Sequence, residues 1–360
     1  MNRRPGAQKQ PVIFLKMAFP DSAELDLSLL HTNQRLLVEE LKTRGAVIRA
    51  VDYSLELLEV SYHENTQLLL DRSSKVAAYL PSTVAADKWL IKYVLQKANI
   101  VTPEGRIFEP SQKNEAADYA KTKGFPLVIK PNTGSSGRFV HSGIENAEQF
   151  TAALDQFLLD TAGRDHFLVE RHIEGHEYRI FITTKGDYAV LLREPAHVTG
   201  DGESTIRVLA ERETARRLAI KEKEGSALCP VALDQVALNF LRRRHMDFDS
   251  VPARGEKLYL RLSSNLSQGG VSKDMTDEVH PSAVAIAKKA LDAFDGLPCL
   301  GIDFLTPDIT ADQSALPHAI IEVNANPGLS MHHMPAIGQK RNVAAYMADV
   351  MFPHIGRNRV

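Results

Sequence analysis

The chain of 360 residues holds only two cysteines, Cys229 and Cys299, far apart in sequence. A disulfide framework is excluded on that count, and a reducing compartment is the expectation. Neither thiol has a Cys or His neighbour at zinc-ligand spacing, so both read as core or subsurface residues. Long hydrophobic runs are also missing: no stretch approaches the ~20 apolar residues that cross a bilayer. The basic start Met1-Asn2-Arg3-Arg4-Pro5 is followed by an apolar run over 11–18 that contains Lys16 and lacks a cleavage-type ending, so it is not a signal peptide. A cytoplasmic protein without membrane contact is expected. An excess of one charge is absent too. Lys and Arg number 43 against 45 Asp and Glu, and a net charge of −2 gives nucleic acid no electrostatic footing. The short cluster Arg242-Arg243-Arg244 reads as a solvated helix face. Internal repeats and low-complexity segments are lacking. What remains is 44% hydrophobic and 24% charged, a globular composition long enough for two or three domains.

Periodicity divides the chain into three units. Residues 1–86 read as a small α/β domain, with a strand at 12–15, a helix over 29–42 that stops at Gly45, and a strand at 47–51. Residues 87–185 read as a central unit. A helix capped by Asp87 runs to about Ala98, and strands at 126–130, 167–170 and 178–183 surround a helix over 145–159. Residues 186–360 read as one larger α/β domain. It carries a strand at 189–192, a helix over 204–224, a strand at 257–262, a glycine-bearing loop at 263–270 and a helix over 282–294. Strands at 300–305 and 319–323 and a helix over 342–352 complete it. The segment 209–244 is the least readable, since it either frames a pocket or packs as helices.

Three local patterns carry chemistry. Asp303 lies inside the apolar strand Cys299-Leu300-Gly301-Ile302-Asp303-Phe304-Leu305, and Glu322 and Asn324 share one face of Ile320-Ile321-Glu322-Val323-Asn324. A buried acid is costly unless it is paired or binds a cation. Two carboxylates and an amide oxygen make a hard donor set suited to Mg²⁺, although strand-end acids that cap turns have the same local pattern. The turn Lys130-Pro131-Asn132-Thr133-Gly134-Ser135-Ser136-Gly137-Arg138 follows an apolar strand. Its small residues let backbone amides approach phosphates, and Lys130 can neutralise the same charge; alone, it is equally a hairpin. Val169-Glu170-Arg171-His172-Ile173-Glu174-Gly175-His176-Glu177-Tyr178-Arg179 is strand, polar turn and strand. It is able to meet an adenine edge and a ribose, or to form a solvated hairpin. The pair His332-His333 sits in a segment expected to be extended. Adjacent residues there point to opposite sides, so a shared metal is not expected, and Met331 and Met334 are expected to pack against the domain.

The order lysine, glycine-bearing loop, strand–Glu–turn–Glu, Asp, Glu-x-Asn resembles the ATP-grasp superfamily over residues 85 to 355. The stretch Arg193-Glu194-Pro195-Ala196-His197-Val198-Thr199-Gly200-Asp201-Gly202 resembles cyanophycin synthetases and the ATP-grasp half of bifunctional glutathione synthetases. So do Ser250-Val251-Pro252, Leu260-Arg261, Asn265-Leu266-Ser267-Gln268-Gly269-Gly270, Asp277-Glu278-Val279-His280-Pro281, Met331-His332 and Arg341-Asn342-Val343-Ala344.

The resemblance implies an α/β (α+β) ATP-grasp fold with a lid between an N-terminal and a C-terminal domain. It implies ATP with two Mg²⁺ ions, Mn²⁺ being able to replace them, held by Asp303, Glu322 and Asn324. Lys88 and Lys130 would meet the phosphates or the adenine region. Gly134, Ser135, Ser136 and Gly137 would close over the phosphates. Glu170, Arg171 and His172 would form the adenine hinge, and Glu177 would take the ribose. Arg193 and Arg261 would face an acyl phosphate, with Asn265 on the acceptor side. Relatives often carry a glycine where Phe139 stands, which leaves the loop's conformation open.

The implied activity is ADP-forming ligation of an amino-acid carboxylate to an amine through an acyl phosphate. The partners are small amino-acid substrates, and a homodimer or homotetramer is typical of relatives. The length fits a stand-alone dipeptide or γ-glutamyl ligase. A small-molecule kinase, or a non-catalytic nucleotide-binding regulator, is the alternative.

Overall fold

The computed structural model describes residues 25–134, 137–224 and 228–356. The expected strand at 12–15 and the loop residues Ser135 and Ser136 lie outside them. After a 3-10 turn at Leu27–Leu29, helix α1 (Thr32–Thr43) leads into an antiparallel meander: β1 (Val47–Asp52), β2 (Leu57–Tyr62), β3 (Asn65–Leu70) and β4 (Ser73–Ser74). A short α2 (Tyr79–Val84) precedes α3 (Lys88–Lys97), whose N-terminus is capped by Asp87 accepting from Leu90 N–H at 2.9 Å. The cap satisfies one of the orphan amides of the first turn, which is why the helix starts there.

A second four-stranded antiparallel sheet has the order β5-β8-β6-β7. It consists of β5 (Gly105–Phe108), β6 (Leu127–Pro131), β7 (His141–Ile144) and β8 (Phe167–Arg171). Helices α4 (Lys113–Lys123) and α5 (Ala147–Asp160) cover it, and Phe108, Leu127, Ile129, Phe150, Leu154, Phe157 and Phe167 fill the space between.

The third sheet has the order β13-β10-β9-β14-β15. It contains β9 (His176–Thr183), β10 (Tyr188–Glu194), β13 (Val271–Asp274), β14 (Cys299–Thr306) and β15 (Ala319–Asn324), with every neighbouring pair antiparallel. Strand β9, inside the expected central range 87–185, is thus the middle of the large sheet. Helix α3, in the same range, packs under that sheet with α8 (Pro281–Ala293) through Ile91, Leu95, Ala287, Leu291, Ile180 and Ile302.

Between β10 and β13 the chain makes a separate small unit with its own core. It comprises β11 (His197–Thr199), α6 (Ile206–Glu224), α7 (Gln235–Arg242) and β12 (Lys257–Tyr259), gathered around Ala196, Val198, Ile206, Ala237, Leu241, Leu258 and Leu260. The strand expected over 257–262 is only three residues long, with one further in-register bond from Leu260 N–H to the Ala196 carbonyl beyond its end. The chain closes with α9 (Ser330–His333) and α10 (Val343–Met351).

The large sheet's two faces differ. One rests on α3 and α8 through a layer of apolar side chains. The other changes character along the strands. Phe181, Ala189 and Cys299 at one end are covered by α10 and the N-terminal meander, while Glu177, Arg179, Arg193 and Asp303 at the other end face a cavity. Burial pushes the Cys299 thiol up to about 12, so it is a core thiol, whereas Cys229 is half-buried. Among the described residues no helix is long and apolar enough to cross a membrane.

Gly200 shows how tightly the small unit closes. A Cβ there would lie 2.1 Å from the Ala253 carbonyl oxygen and 2.8 Å from that of Pro252. Gly200→Ala is expected to lower the thermal midpoint and to expose 195–262 to limited proteolysis first. Unchanged cleavage kinetics would refute the tight closure.

Candidate active site

The second and third sheets face each other across a cavity of about 640 Å³. It is lined by every described residue that the sequence nominates: Lys88, Lys130, Gly134, Gly137, Glu170, Arg171, His172, Glu177, Arg193, Arg261, Asn265, Asp303, Glu322 and Asn324. The volume is in the range of a nucleotide-sized site.

The roof is built on Glu170. Its carboxylate, 2% exposed, lies 2.8 Å from Lys130 Nζ and 2.9 Å from Lys92 Nζ. Burial alone raises this carboxyl's pKa, but the two ammonium groups outweigh it and hold it below the ordinary value. Gly105 makes room for it, since a Cβ there would come within 2.7 Å of Glu170 Cγ. The Glu170 side chain expected in an adenine hinge is committed to two lysines, and its backbone is in register with Gly105 on one side and Val128 on the other. Arg171 and His172 give their amides to Glu104 and Pro126 carbonyls, which fixes the end of β8. Lys92 escaped the sequence reading, although its place one helical turn after Lys88 was the available signal.

Lys88, buried at the start of α3, donates to the Gly134 carbonyl at 2.8 Å. Burial lowers its pKa, opposed by the nearby Glu322. Asn132 completes the joint: its amide donates to Asp87 at 2.6 Å and accepts from Trp89 N–H at 2.9 Å. The glycine-bearing loop is thus tied at its root to the helix that carries Lys88. Phe139, at the position where relatives often have glycine, has φ +59°, the left-handed conformation a glycine would adopt freely. It is held there by packing on the roof core and by Arg138 stacked 5.2 Å over its ring.

The floor is a row of charges fixed by strand register. Asp303 on β14 is opposite Arg179 on β9 and Glu322 on β15, and Arg193 on β10 is opposite Glu177 on β9. Asp303 lies 2.7 Å from Arg179 Nε and 3.0 Å from Arg193 Nη2, and Arg193 also pairs with Glu177, which accepts from Ser264. Burial raises the Asp303 pKa, but the two guanidinium groups prevail and hold it low. Arg179, two residues after Glu177 on the same face, is a further site residue that the alternation would have shown. A β-bulge at Ile321 separates the two halves of β15, so Ile320 enters the core while Glu322 and Asn324 stay on the Asp303 side.

The oxygen donors fit a hard cation. Asp303 Oδ1 is buried without an aligned hydrogen-bond donor despite its short approach to Arg179, and Glu322 makes no ion pair among the described residues. Asn324 Oδ1 accepts once, from Asn326 N–H at 2.9 Å, and an amide oxygen has a second lone pair.

Arg261 is 1% exposed and its guanidinium is bound to Gln268, the Ala232 carbonyl and Asp234, so it braces the small unit at the cavity's edge. Asn265 caps the following 3-10 turn by accepting from Ser267. Phe240 and Arg244, from the segment left unread in the sequence, line the same wall, so that segment both packs as helices and frames the cavity. His332 and His333 lie on a helix, not on an extended segment. His332 is buried edge-on to Phe181, and His333 accepts from Ala344 N–H.

A family model described as "Carbamoyl-phosphate synthase L chain, ATP binding domain" matches residues 87–213. The chain is 35% identical over 306 residues to cyanophycin synthetase of Geminocystis herdmanii (strain PCC 6308), covering 84% of this chain and 34% of that one. It is 29% identical over 331 residues to the glutathione biosynthesis bifunctional protein of Clostridium perfringens (strain 13 / Type A), covering 91% and 41%. The crystal structure of a bifunctional glutathione synthetase from Pasteurella multocida superposes with a TM-score of 0.63 at 27% identity, covering 90% of this chain and 44% of that one. The fold is ATP-grasp. Within it the chain resembles cyanophycin synthetase and bifunctional glutathione synthetase, and it spans roughly a third to two-fifths of the length of these curated relatives.

Two consequences can be measured. Removing the Glu170 charge leaves two ammonium groups buried together, so Glu170→Gln is expected to destabilise by about 3–5 kcal/mol in urea unfolding. A loss within error of zero would overturn the roof's electrostatic account. The second concerns acid. Burial lowers the His332 pKa to about 3, against 6.5 ordinarily, and its ring nitrogens have no partner among the described residues. Between those values the unfolded chain takes a proton that the folded one refuses, so stability falls as pH drops from 6.5. His332→Phe should flatten that limb between pH 6.5 and 4, and parallel limbs would contradict it.

Proposed function

We propose that this chain is an ATP-dependent ligase that joins an amino-acid carboxylate to an amine through an acyl phosphate, releasing ADP and phosphate. The observation that carries the reading is the single cavity lined by Lys88, Lys130, Gly134 and Gly137 together with the row Arg193–Asp303–Glu322. The cyanophycin- and glutathione-synthetase resemblance over more than four-fifths of the chain supports it.

The nucleotide lies between the two sheets. The 105–171 sheet is the lid, and α3 and the large sheet are the base. The adenine sits at the end of β8 beside His172 and Ile173, and the ribose is offered to Glu177, which exchanges Arg193 for sugar hydroxyls. Lys88, Lys130 and the 134–137 loop receive the phosphates. Asp303, Glu322 and Asn324 would hold Mg²⁺, which when bound neutralises phosphate charge. The substrate carboxylate oxygen attacks the γ-phosphorus in line and the β–γ bridge bond breaks to ADP; positioning and charge neutralisation are the whole requirement for this step. The amine then adds to the acyl carbon, Arg193 stabilises the oxyanion, phosphate leaves and the nitrogen gives up its proton. The lid and the 195–262 unit exclude water, which would otherwise hydrolyse the acyl phosphate.

The test is ATP turnover with Mg²⁺ over amino acids singly and in pairs, with products read by mass spectrometry. ADP that requires two substrates, with a product mass equal to their sum less water, is expected. A single phosphorylated product would replace the ligase with a kinase, and ATP binding without turnover on any pair would leave only a binding function. In the coupled reaction Arg193→Gln is expected to lower kcat by about 10²–10³-fold.

A further inference from the structure

The loop that follows Glu322-x-Asn324 is shaped by side chains from outside its own domain. Arg72, buried at the end of the N-terminal meander, donates from Nε to the Pro327 carbonyl at 3.1 Å and from Nη2 to the Asn326 carbonyl at 3.0 Å. Asp71, which pairs with Arg72, accepts from the Asn326 amide at 2.7 Å. Asn33, in the first turn of α1, accepts through its single Oδ1 from both Leu329 N–H and Ser330 N–H, each at 2.8 Å. Three residues of the N-terminal unit therefore make five hydrogen bonds to four residues of this loop, Asn326, Pro327, Leu329 and Ser330.

The clamped loop reaches the site in two ways. Gly328 and Met331 line the cavity. Pro327 also closes over Gly301: a Cβ at Gly301 would meet Pro327 Cβ at 2.8 Å and Arg179 Nη1 at 2.7 Å. The loop and the guanidinium that holds Asp303 are thus stacked over the same glycine, and moving one displaces the other.

We propose that Arg72 and Asn33 are positioning residues for the non-nucleotide substrate, acting through the 325–330 loop, so that the N-terminal unit belongs to the substrate-binding machinery. The inference rests on the reading that the nucleotide takes the His172 end. A guanidinium fork is needed because two adjacent carbonyls are bound at once, which a lysine cannot reproduce. At Asn33 only an acceptor is needed, so aspartate preserves the clamp and alanine abolishes it.

The experiment compares Arg72→Lys, Asn33→Ala and Asn33→Asp with Arg44→Met. Arg44 is a buried arginine of the same unit that binds Asp349 and the Ala345 carbonyl and does not touch the loop. Arg72→Lys and Asn33→Ala should raise KM for the amino-acid substrate about tenfold, with KM for ATP within about twofold of wild type, and Asn33→Asp should restore it. Arg44→Met should lower the thermal midpoint without splitting the two constants. Equal shifts in both KM values, or no rescue by Asn33→Asp, would overturn the proposal. The wild-type enzyme in the same assay reports on the ligase reading separately. Should it not turn over, backbone amide exchange decides the clamp: faster exchange at Leu329 and Ser330 in Asn33→Ala, reversed in Asn33→Asp, supports it, and unchanged exchange refutes it.

Discussion

One carboxylate joins the two halves of the cavity. Glu170 lies on the roof sheet, and one of its two lysines, Lys92, lies on the helix that packs beneath the floor sheet. Three charges in a nearly dry volume are tolerable only as a set, because each desolvated ion depends on the others for compensation. The set fixes where α3 can sit against β6 and β8, and with it the separation of Lys88 and Lys130. Asn132 and Asp87 add a neutral joint beside the charged one. Roof and floor are therefore registered to one another by polar contacts at one edge, and the remainder of the interface is open to become a site.

The floor depends on a different economy. A single face of β9, β10 and β14 serves as core at one end and as charged surface at the other, with Phe181 and Arg179 only two residues apart. The arginines at the polar end lean on the ordered apolar end, which exists only because α10 and the meander cover it. This arrangement gives the N-terminal unit a structural purpose beyond its own stability, and it accounts for an apolar cluster that runs from α1 to Met351 without respecting unit boundaries.

Much of this was legible in the sequence, for physical reasons. Asp303 inside an apolar strand, and Glu322 and Asn324 two apart, were readable because strand alternation has a period of two and a buried acid stands out against Ile and Phe. Capping by Asp87 was readable because the cap is local. The partners were not. Nothing in Lys130-Pro131-Asn132 says that Glu170 will neutralise the lysine, since that pairing is set by sheet order β5-β8-β6-β7. The assignment of β9 to the large sheet was hidden because a hairpin such as β9–β10 looks the same whichever neighbour it acquires. His332 was misjudged because a single four-residue turn near prolines is too short to show a decisive period. Arg72 and Asn33 gave no signal at all, being polar residues in an ordinary meander and helix.

The bulge at Ile321 has a consequence for how this chain can vary. Because it absorbs one residue, Ile320 and Glu322 point to opposite sides of the sheet, where plain alternation would place them on the same side. Composition at Ile321, which only lines the cavity, is comparatively free. Length is not: deleting or adding one residue between 319 and 324 would drive a carboxylate into the apolar layer beside Phe304 or turn Ile320 toward the cavity. Divergent copies of this protein should accordingly differ at position 321 by substitution, while the spacing from Ala319 to Asn324 stays constant.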